Sequence, residues 1–559
     1  MSEFPVGEFL FKRIQELGIE TIFGVPGDYE LALLDLVEPA GLKWTGTPNE
    51  LVGAYAADGY ARQKGAGALV TTFGPGELSA LCGIGGANCE SVPIVHIVGY
   101  PTEAAQKSGN ILHHTLGDLK YDHYVKMSSE LSCATTVLHD PATAVAEIDR
   151  VLNAMIYHSK PVYIGISEDV AYAKVSVSTL DKKLVHSLPV GDLAVETRAI
   201  SDIIAKLEAS NGAVIIVDGG ANRSSWAPFV DPLVDALKVP VFVTCLGKGA
   251  VDESSPYFGG AYGGIDSWPN VVKMVESSDC ILWLGRLPSD FNTGAFTEHV
   301  NPSTVIDFQR FSIEIGETKF DAKISHVLPK LIEAIKGNAS LTSRPTRPLV
   351  SQPPLPRKPA SDLITQDWVW ERLSSFLKPG DLLVSETGTA QFGVLGTRLP
   401  SGASHWTQAV WGSIGYATGA AVGASIGAKE TGKFKRLVLL TGEGSLQMTI
   451  QAFSLLNRHG IVPIVFVLNN AGYTVERYFH GWGAIYNDVP DWDYGKIFSG
   501  MAPNSGARGY KITKRHDMDA LLDDPEVQNA TYPQVIDFAL AKDDAPTPLK
   551  LVFKGKKQG

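Results

Sequence analysis

Residues 436–476 contain polar side chains whose types and spacing indicate phosphate and metal chemistry. The apolar run Leu437–Leu440 is typical of a buried parallel strand, and GEGS at residues 442–445 follows it as a turn of small residues with one acid. A helix is predicted next, with apolar residues from Leu446 and a glycine cap at Gly460. Glycines bring backbone amides close to a phosphate, and a helix N-terminus favours an anion. The pattern therefore predicts a strand, a ligand-binding turn and a helix.

A second strand pattern, Val462–Leu468, ends in NNAG at residues 469–472. Because open parallel sheets bind ligands at the carboxyl ends of their strands, we expect the two polar segments to face one site. Glu443, the Asn470 side chain and a nearby backbone carbonyl are hard oxygen ligands, which Mg²⁺ takes together with substrate phosphates. GEGS alone favours an ordinary turn whose acid faces water. GEGS paired with NNAG favours a diphosphate site with a divalent cation.

Four residues in the first third of the chain are candidates for proton transfer. Asp28 follows a strand pattern, Glu50 begins a helix pattern, and His113 and His114 are adjacent in a loop. Histidines and carboxyls with shifted pKa values titrate near neutral pH, as general acid–base chemistry requires. The alternatives are a helix-dipole contact for Glu50 and, for the histidines, surface positions or, less often, metal ligation. No second cluster of acids accompanies the histidines to favour a metal.

Helix and strand patterns alternate through a first segment, residues 1–180. Strands are predicted at Thr21–Phe23, Ala68–Phe73 and Val92–Val98, and helices at Val6–Leu17, at Leu31–Val37 and from Glu50. This alternation predicts a doubly wound parallel sheet.

Two further segments repeat the alternation. Residues 181–345 have strand patterns at Ala213–Val217, Val239–Thr244, Cys280–Leu284 and Thr304–Phe308, without a G-x-G-x-x-G dinucleotide fingerprint, so this domain is predicted to be structural. Residues 346–360 are rich in Pro, Ser and Arg, which predicts a linker. Residues 361–559 begin with the strand Leu382–Ser385 and include a small-residue helix from Trp411. The predicted fold class is α/β, with three doubly wound parallel-sheet domains.

Composition excludes several classes of protein. The 559 residues, 44% hydrophobic and 19% charged, are typical of a globular chain with more than one core. The net charge of −12 argues against nucleic acid and anionic membranes as partners, and no apolar run approaches the ~20 residues of a membrane span. The five cysteines show no CxxC spacing and the N-terminus shows no signal-peptide pattern, so a cytoplasmic location is expected.

GEGS with its downstream NN resembles the thiamine diphosphate motif, GDGS followed by NN, of the 2-oxo acid decarboxylases. The surrounding words GSLQMT and NNAGYTVE are similar to the pyruvate decarboxylase family of yeasts and filamentous fungi, as are NELVGAYAADGYAR, FGVPGDY and ILHHTLG in the first segment. One position departs from the family, because Glu443 stands where the family has Asp. The extra methylene moves the carboxylate outward in a site where Mg²⁺ demands near-octahedral geometry.

The resemblance implies a pyrimidine-binding domain at residues 1–180, a middle or regulatory domain at 181–345 and a diphosphate-binding domain at 361–559. It implies five catalytic residues: Asp28, Glu50, His113, His114 and Glu476. It implies that thiamine diphosphate is contacted by Glu50, Thr387, Thr389, Gly412, Ile414, Gly442, Glu443, Gly444, Ser445, Asn470, Tyr473 and Thr474. Mg²⁺ would be held by Glu443, Asn470 and Gly472, and the substrate pocket would be lined by Phe291, Thr387 and Gln391.

The expected activity is the non-oxidative decarboxylation of a 2-oxo acid, with pyruvate favoured, to an aldehyde and CO₂. Decarboxylation leaves a carbanion that no side chain stabilises, which is why a cofactor is needed. The alternatives are a phenylpyruvate or indolepyruvate decarboxylase, an acyloin-forming carboligase, or a catalytically weakened paralogue with a structural or regulatory role. The resemblance also implies a homodimer or homotetramer with sites between subunits.

Overall fold

The computed structural model describes residues 3–344, 349, 361–529 and 531–554. The predicted linker, residues 346–360, lies outside the described residues except for position 349. The chain forms two compact units. The first contains the chain up to Leu188 together with residues 411–434 and 449–461, and the second contains residues 189–410, 435–448 and the chain from Val462.

The first unit is built on a six-stranded sheet and a separate antiparallel pair. In chain order the strands are β1 (Glu3–Pro5), β2 (Thr21–Gly24), β3 (Lys43–Gly46), β4 (Gly67–Thr72), β5 (Ile94–Tyr100), β6 (Ala134–Leu138), β7 (Val162–Ser167) and β8 (Lys174–Ser176). β1 pairs with β8, and the sheet has the order β3-β2-β4-β5-β7-β6 with every pairing parallel. The predicted parallel sheet is confirmed, and the three predicted strands are observed with ends shifted by one or two residues.

The second unit contains two sheets, of which the first is mixed. Its strands are β9 (Ala213–Val217), β10 (Val241–Val243), β11 (Phe258–Ala261), β12 (Cys280–Leu284), β13 (Val305–Phe308), β14 (Ile313–Ile315) and β15 (Thr318–Phe320), in the order β11-β10-β9-β12-β13-β14-β15. The strands from β11 to β13 are parallel; four of these five strands, and the parallel pairing, were predicted, and β11 was not. β14 and β15 add an antiparallel hairpin at one edge. Each hairpin strand has three residues, which is too few for a periodic pattern to reveal.

The other sheet of the second unit is entirely parallel. Its strands are β16 (Leu382–Ser385), β17 (Ser404–Trp406), β18 (Leu437–Gly442), β19 (Pro463–Asn469), β20 (Arg508–Ile512) and β21 (Gln534–Ala539), in the order β17-β16-β18-β19-β21-β20. β18 and β19 are neighbours, with Gly442 opposite Leu468. The two polar segments predicted to share a sheet edge therefore do so.

Helices connect these strands. Up to Leu188 they are α1 (Val6–Glu16), α2 (Leu31–Leu34), α3 (Glu50–Lys64), α4 (Pro75–Cys89), α5 (Glu103–Gln106), α6 (His123–Ser129), α7 (Pro141–His158) and α8 (Glu168–Tyr172). They continue with α9 (Leu193–Ala209), α10 (Val230–Leu237), α11 (Pro269–Glu276), α12 (Ile324–Lys336), α13 (Ala339–Thr342), α14 (Gln366–Phe376) and α15 (Thr389–Val394). The remainder are α16 (Tyr416–Glu430), α17 (Glu443–Thr449), α18 (Phe453–Arg458), α19 (Thr474–His480), α20 (Tyr494–Met501), α21 (Arg515–Asp523), α22 (Pro525–Gln528) and α23 (Thr547–Val552).

The small-residue helix predicted from Trp411 begins instead at Tyr416. Gly412 and Gly415 have φ angles of 62° and 89°, in the left-handed region, so the chain cannot be helical there. Once begun, α16 lies very close to α3, as its small residues predict. A Cβ added at Gly423 would overlap a backbone carbonyl of α3, because the two helix backbones are in contact.

The helix boundaries after β18 also differ from prediction. GEGS is not a turn, because β18 extends through Gly442 and α17 begins directly at Glu443. The single helix predicted to reach Gly460 is interrupted by a 3₁₀ turn at Ile450–Ala452. Thr449 leaves the helical conformation there, with φ −142°, and its hydroxyl donates to a backbone carbonyl at 2.7 Å.

Candidate active site

Glu443 is a buried carboxylate at the carboxyl end of β18, only 3% exposed. It accepts a hydrogen bond from the backbone N–H of Gly472, beyond the end of the neighbouring strand β19. Burial raises its pKa to about 7, against the lowering effect of the Gly472 and Asn470 backbone N–H groups. A divalent cation at this carboxylate would supply an opposite charge that its backbone N–H partners do not.

The NNAG segment ends in Gly472, a position that only glycine can occupy without strain. Gly472 has a φ of 133°, and a Cβ there would overlap the carbonyl oxygen of Asn487. Arg477, which is buried, donates hydrogen bonds to the carbonyls of Asn470 and Ala471. Arg477 is a residue that the sequence analysis misses. Its only signal is its place directly after the segment NNAGYTVE.

Four other predicted cofactor residues lie around this sheet edge. A Cβ at Gly444 would lie 2.6 Å from the ring of Tyr473, so glycine permits this contact. Ser445 is buried in the first turn of α17. Thr474 begins α19, and its hydroxyl donates to the Lys542 carbonyl at 2.9 Å. The Thr474 side chain therefore ties α19 to the segment after β21.

The end of β16 carries a second group of predicted residues. The Thr387 hydroxyl donates to the carbonyl of Gln408 at 3.1 Å, and the Gln391 amide donates to the same oxygen at 3.4 Å. Gln391 Oε1 is buried and has no hydrogen-bond partner among the described residues. Gly388 has a φ of 115° with open space where a Cβ would be, and Thr389 follows as the first residue of α15. An unpartnered acceptor beside open space is typical of a site that a ligand completes.

Phe291 and Glu476 lie at different depths in the second unit. Phe291 is partly exposed, and its ring lies 5.6 Å from that of Phe392, in a cluster with Leu549 and Phe553 from the C-terminal segment. Glu476 is exposed on α19. The exposure leaves its carboxylate accessible to a substrate or to water.

In the first unit, Asp28, His113 and His114 are brought together. Asp28 Oδ2 lies 2.9 Å from His113 Nε2, and one polar side-chain atom from each of the three lies within 4.8 Å of the others. Tyr29, which the sequence analysis does not identify, stacks on His113 and contacts its Nδ1 through the hydroxyl at 3.0 Å. His114 has a φ of 67°, and burial, followed by the nearby His113, lowers its pKa. The trio brings two imidazoles and a carboxyl, which can pass protons to one another, into one cluster.

Glu50 is the first residue of α3, whose N-terminus is capped by the Asn49 side chain. It is half-buried, and burial raises the pKa of its carboxyl. The start of α4 lies close, because a Cβ at Gly76 would be 3.2 Å from Glu50 Oε1. Within the described residues, Glu50 makes no hydrogen bond to the Asp28 trio.

Gly412 and Ile414 lie in the segment before α16. Gly412 is in the left-handed region, and Ile414 is partly exposed. Between them, the Ser413 hydroxyl contacts the Tyr55 hydroxyl of α3 at 2.6 Å, which fixes the segment to that helix. Neither Gly412 nor Ile414 is enclosed by the core of the first unit, so both remain accessible to a ligand.

None of the helices in the described part of the chain is both long and apolar enough to cross a membrane.

Comparison with known proteins gives matches along the whole chain. Residues 4–127 match the family model "Thiamine pyrophosphate enzyme, N-terminal TPP binding domain", residues 200–335 the central domain, and residues 386–538 the C-terminal TPP binding domain. The chain is 40% identical to "Pyruvate decarboxylase" of Aspergillus fumigatus over 548 residues, covering 98% of this chain and 96% of the relative. It is also 40% identical to "Pyruvate decarboxylase isozyme 3" of Saccharomyces cerevisiae, covering 98% of each chain. The chain thus belongs to the thiamine pyrophosphate enzyme family, as a thiamine diphosphate-dependent decarboxylase.

Proposed function

We propose that the enzyme decarboxylates pyruvate to acetaldehyde and CO₂, using thiamine diphosphate and Mg²⁺. The observation that carries the proposal is the similarity, over nearly the full length of both chains, to proteins named pyruvate decarboxylase. We assign residues 1–180, 181–345 and 361–559 to the pyrimidine-binding, middle and diphosphate-binding domains. The three family matches, which fall one within each range, support this assignment.

We assign the metal site to Glu443, Asn470 and the carbonyl of Gly472. Supporting this assignment, all three are oxygen ligands at one sheet edge, and no Lys or Arg among the described residues forms an ion pair with the buried Glu443 carboxyl. The glutamate keeps the charge and both oxygens of the aspartate that the family motif has. We assign the diphosphate contacts to Gly442, Gly444 and Ser445, next to that metal.

We assign the remaining cofactor contacts to Thr387, Thr389, Gly412, Ile414, Tyr473 and Thr474. When bound, thiamine diphosphate supplies the electron sink for the electron pair that CO₂ leaves behind on the substrate. The unpartnered oxygen of Gln391 and the open space at Gly388 support a ligand at the end of β16. Together with Phe291 and Thr387, Gln391 would determine which 2-oxo acid fits.

Proton transfer is assigned to Glu50, Asp28, His113, His114 and Glu476. The raised pKa of Glu50 lowers the cost of protonating its carboxyl, which suits a group that exchanges a proton with a ring nitrogen of the cofactor. The Asp28–His113 pair, at 2.9 Å, can deliver a proton to the carbon that CO₂ leaves, before the aldehyde departs.

We further propose a cytoplasmic homodimer or homotetramer with sites between subunits. Three apolar residues beside the histidine pair, Ile111, Leu116 and Leu119, are 68%, 62% and 46% exposed, and a second copy would cover such a patch. All five cysteines are free thiols, as in a reducing compartment.

The proposal is tested by binding and turnover on one sample. The protein is titrated with thiamine diphosphate and Mg²⁺, and CO₂ and aldehyde are then measured from pyruvate, phenylpyruvate and indolepyruvate. We expect saturable binding and the highest kcat/KM for pyruvate. Higher kcat/KM for an aromatic substrate would contradict the pyruvate assignment, and acyloin as the main product would indicate a carboligase.

Glu50→Gln tests the role of Glu50, because it preserves the shape of the side chain and removes its ionisable proton. We expect turnover to fall by about 100-fold or more while Mg²⁺ binding is retained. Unchanged turnover would contradict the role of Glu50. Absence of cofactor binding, restored by Glu443→Asp, would instead identify a weakened paralogue.

A further inference from the structure

Glu30 is a buried carboxyl in the first unit that the proposed function does not use. It lies two residues after Asp28 and immediately before α2, and it is 0% exposed. Glutamate is almost never fully buried without a partner, because removing a carboxylate from water is costly. The fold must therefore provide both the space and the contacts that keep Glu30 in this position.

Two glycines provide the space. A Cβ at Gly99, in β5, would overlap the Cβ of Glu30. A Cβ at Gly27 would lie 3.1 Å from Glu30 Oε1 and 2.8 Å from the hydroxyl oxygen of Thr72, in β4. The side chain of Glu30 thus occupies a slot between the Gly27 turn and two central strands, and a larger residue at either glycine would close it.

One of the two carboxyl oxygens binds the turn that carries Asp28. Glu30 Oε1 accepts a hydrogen bond from the backbone N–H of Gly27 at 2.5 Å. Glu30 Oε2 and the neighbouring Thr72 Oγ1 make no hydrogen bond of standard geometry with any residue that the structure describes. Burial raises the pKa of Glu30 to about 7, against the lowering effect of Thr72 and the Gly27 amide, and Asp28 raises it further. Thr72 and Gly99, the neighbours of Glu30 on β4 and β5, are uncharged, so neither offsets the charge of an ionised Glu30.

We propose that Glu30 is a positioning residue for the decarboxylation: by binding the Gly27 amide, it holds the turn in which Asp28 meets His113. The residue next to Gly27 is Asp28, whose carboxylate lies 2.9 Å from His113 Nε2. A shift of the turn by a fraction of this distance would lengthen that contact. The inference rests on the proposed function, because Asp28 and His113 are its proton-transfer pair.

The test compares Glu30→Ala, Glu30→Gln and the control Glu38→Ala, which removes an exposed acid eight residues further on. Each full-length variant is assayed with thiamine diphosphate, Mg²⁺ and pyruvate. We expect Glu30→Ala to lower kcat about 10-fold or more with KM changed less than about threefold, since misplaced groups slow chemistry more than binding. Glu30→Gln keeps the acceptor, so at pH 6 kcat should stay within about threefold of the wild-type value.

Amide hydrogen exchange of the peptide containing residues 22–31 gives a readout that needs no turnover. We expect faster exchange in Glu30→Ala and wild-type exchange in Glu30→Gln and Glu38→Ala. Wild-type kcat and wild-type exchange in Glu30→Ala would overturn the proposal. If Glu30→Ala does not fold, Glu30→Met takes its place, because it fills the slot but removes the acceptor, and wild-type kcat with wild-type exchange in that variant would overturn the proposal. If the wild-type enzyme decarboxylates no 2-oxo acid, the proposed function fails, and exchange alone decides the role of Glu30.

Discussion

Asp28 and Glu443 are both proposed to serve the decarboxylation, yet their surroundings are opposite. The Asp28 side chain is 54% exposed, and it meets His113, whose side chain is 56% exposed. Glu443 is 3% exposed and accepts hydrogen bonds from backbone N–H groups. Burial raises the pKa of Glu443 to about 7.

This difference in exposure separates two tasks that a carboxylate can perform. A solvated carboxylate beside a histidine can exchange protons with water and substrate during turnover. A buried carboxylate is costly to ionise unless a cation is present, so its natural partner is a metal. We therefore expect changes at Asp28 to affect the rate of the chemical step, and changes at Glu443 to affect cofactor and metal affinity.

The largest effect is expected from Asp28→Asn. The amide keeps the shape but cannot carry a proton, so kcat should fall by about 10²–10⁴-fold. Affinity for thiamine diphosphate and Mg²⁺, measured by titration of intrinsic fluorescence, should be unchanged. A loss of cofactor affinity that matches the loss of kcat would break the proposed division between the two carboxylates.

Glu443→Gln is the reciprocal change. Removing the charge should weaken Mg²⁺ binding by about 100-fold, because even ligand-supporting residues contribute about 10–100-fold. At saturating Mg²⁺ and cofactor, part of the activity should return. The measurement is kcat as a function of Mg²⁺ concentration. Full activity at the Mg²⁺ concentration that half-saturates the wild-type enzyme would contradict a metal-binding role for Glu443.

A smaller effect is expected from Arg477→Lys, which removes the planar donor set that holds the Asn470 and Ala471 carbonyls. We expect Mg²⁺ affinity to fall about 10-fold, because the ligand segment loses its support. The same change at an exposed position, Arg508→Lys, is the control. Equal affinities in the two variants would show that Arg477 does not order the metal ligands.

Glu77 sharpens the comparison as a buried carboxyl with hydrogen bonds and no proposed metal. It accepts from the Gly74 backbone N–H and from the Tyr163 hydroxyl, both at 2.9 Å, and burial raises its pKa to about 7. Because the unfolded state ionises first, near the ordinary pKa of 4.5, the free energy of unfolding should fall as pH rises from about 4.5 to about 7.

Glu77→Gln removes this pH dependence. Between pH 5 and pH 8, the free energy of unfolding should therefore fall by about 1–3 kcal/mol less in the variant than in the wild-type protein. Urea unfolding at the two pH values measures it, with Glu38→Gln as the exposed control. A parallel loss of stability in the variant and the wild-type protein would show that Glu77 does not titrate in this range.

Sequence patterns predicted the parallel sheets because buried strands have continuous apolar runs. Ala213–Val217, Cys280–Leu284 and Leu382–Ser385 are observed with the predicted ends. The patterns fail where φ angles decide, as before Tyr416, where two left-handed glycines delay the helix. They also fail for short strands such as β14, which is a strand because of its partners on both sides rather than because of its own sequence.

The candidate site divides in the same way. Local sequence was sufficient to predict that GEGS and NNAG follow adjacent strands, because apolar periodicity and glycine placement involve neighbouring residues only. Other features depend on how separate elements pack. These are the contact between Asp28 and His113, the slot that encloses Glu30, the hydrogen bonds of Arg477 and the burial of Glu443. Hydrogen-bond geometry and pKa values are set by groups that are close in space, and only the folded chain determines which groups those are.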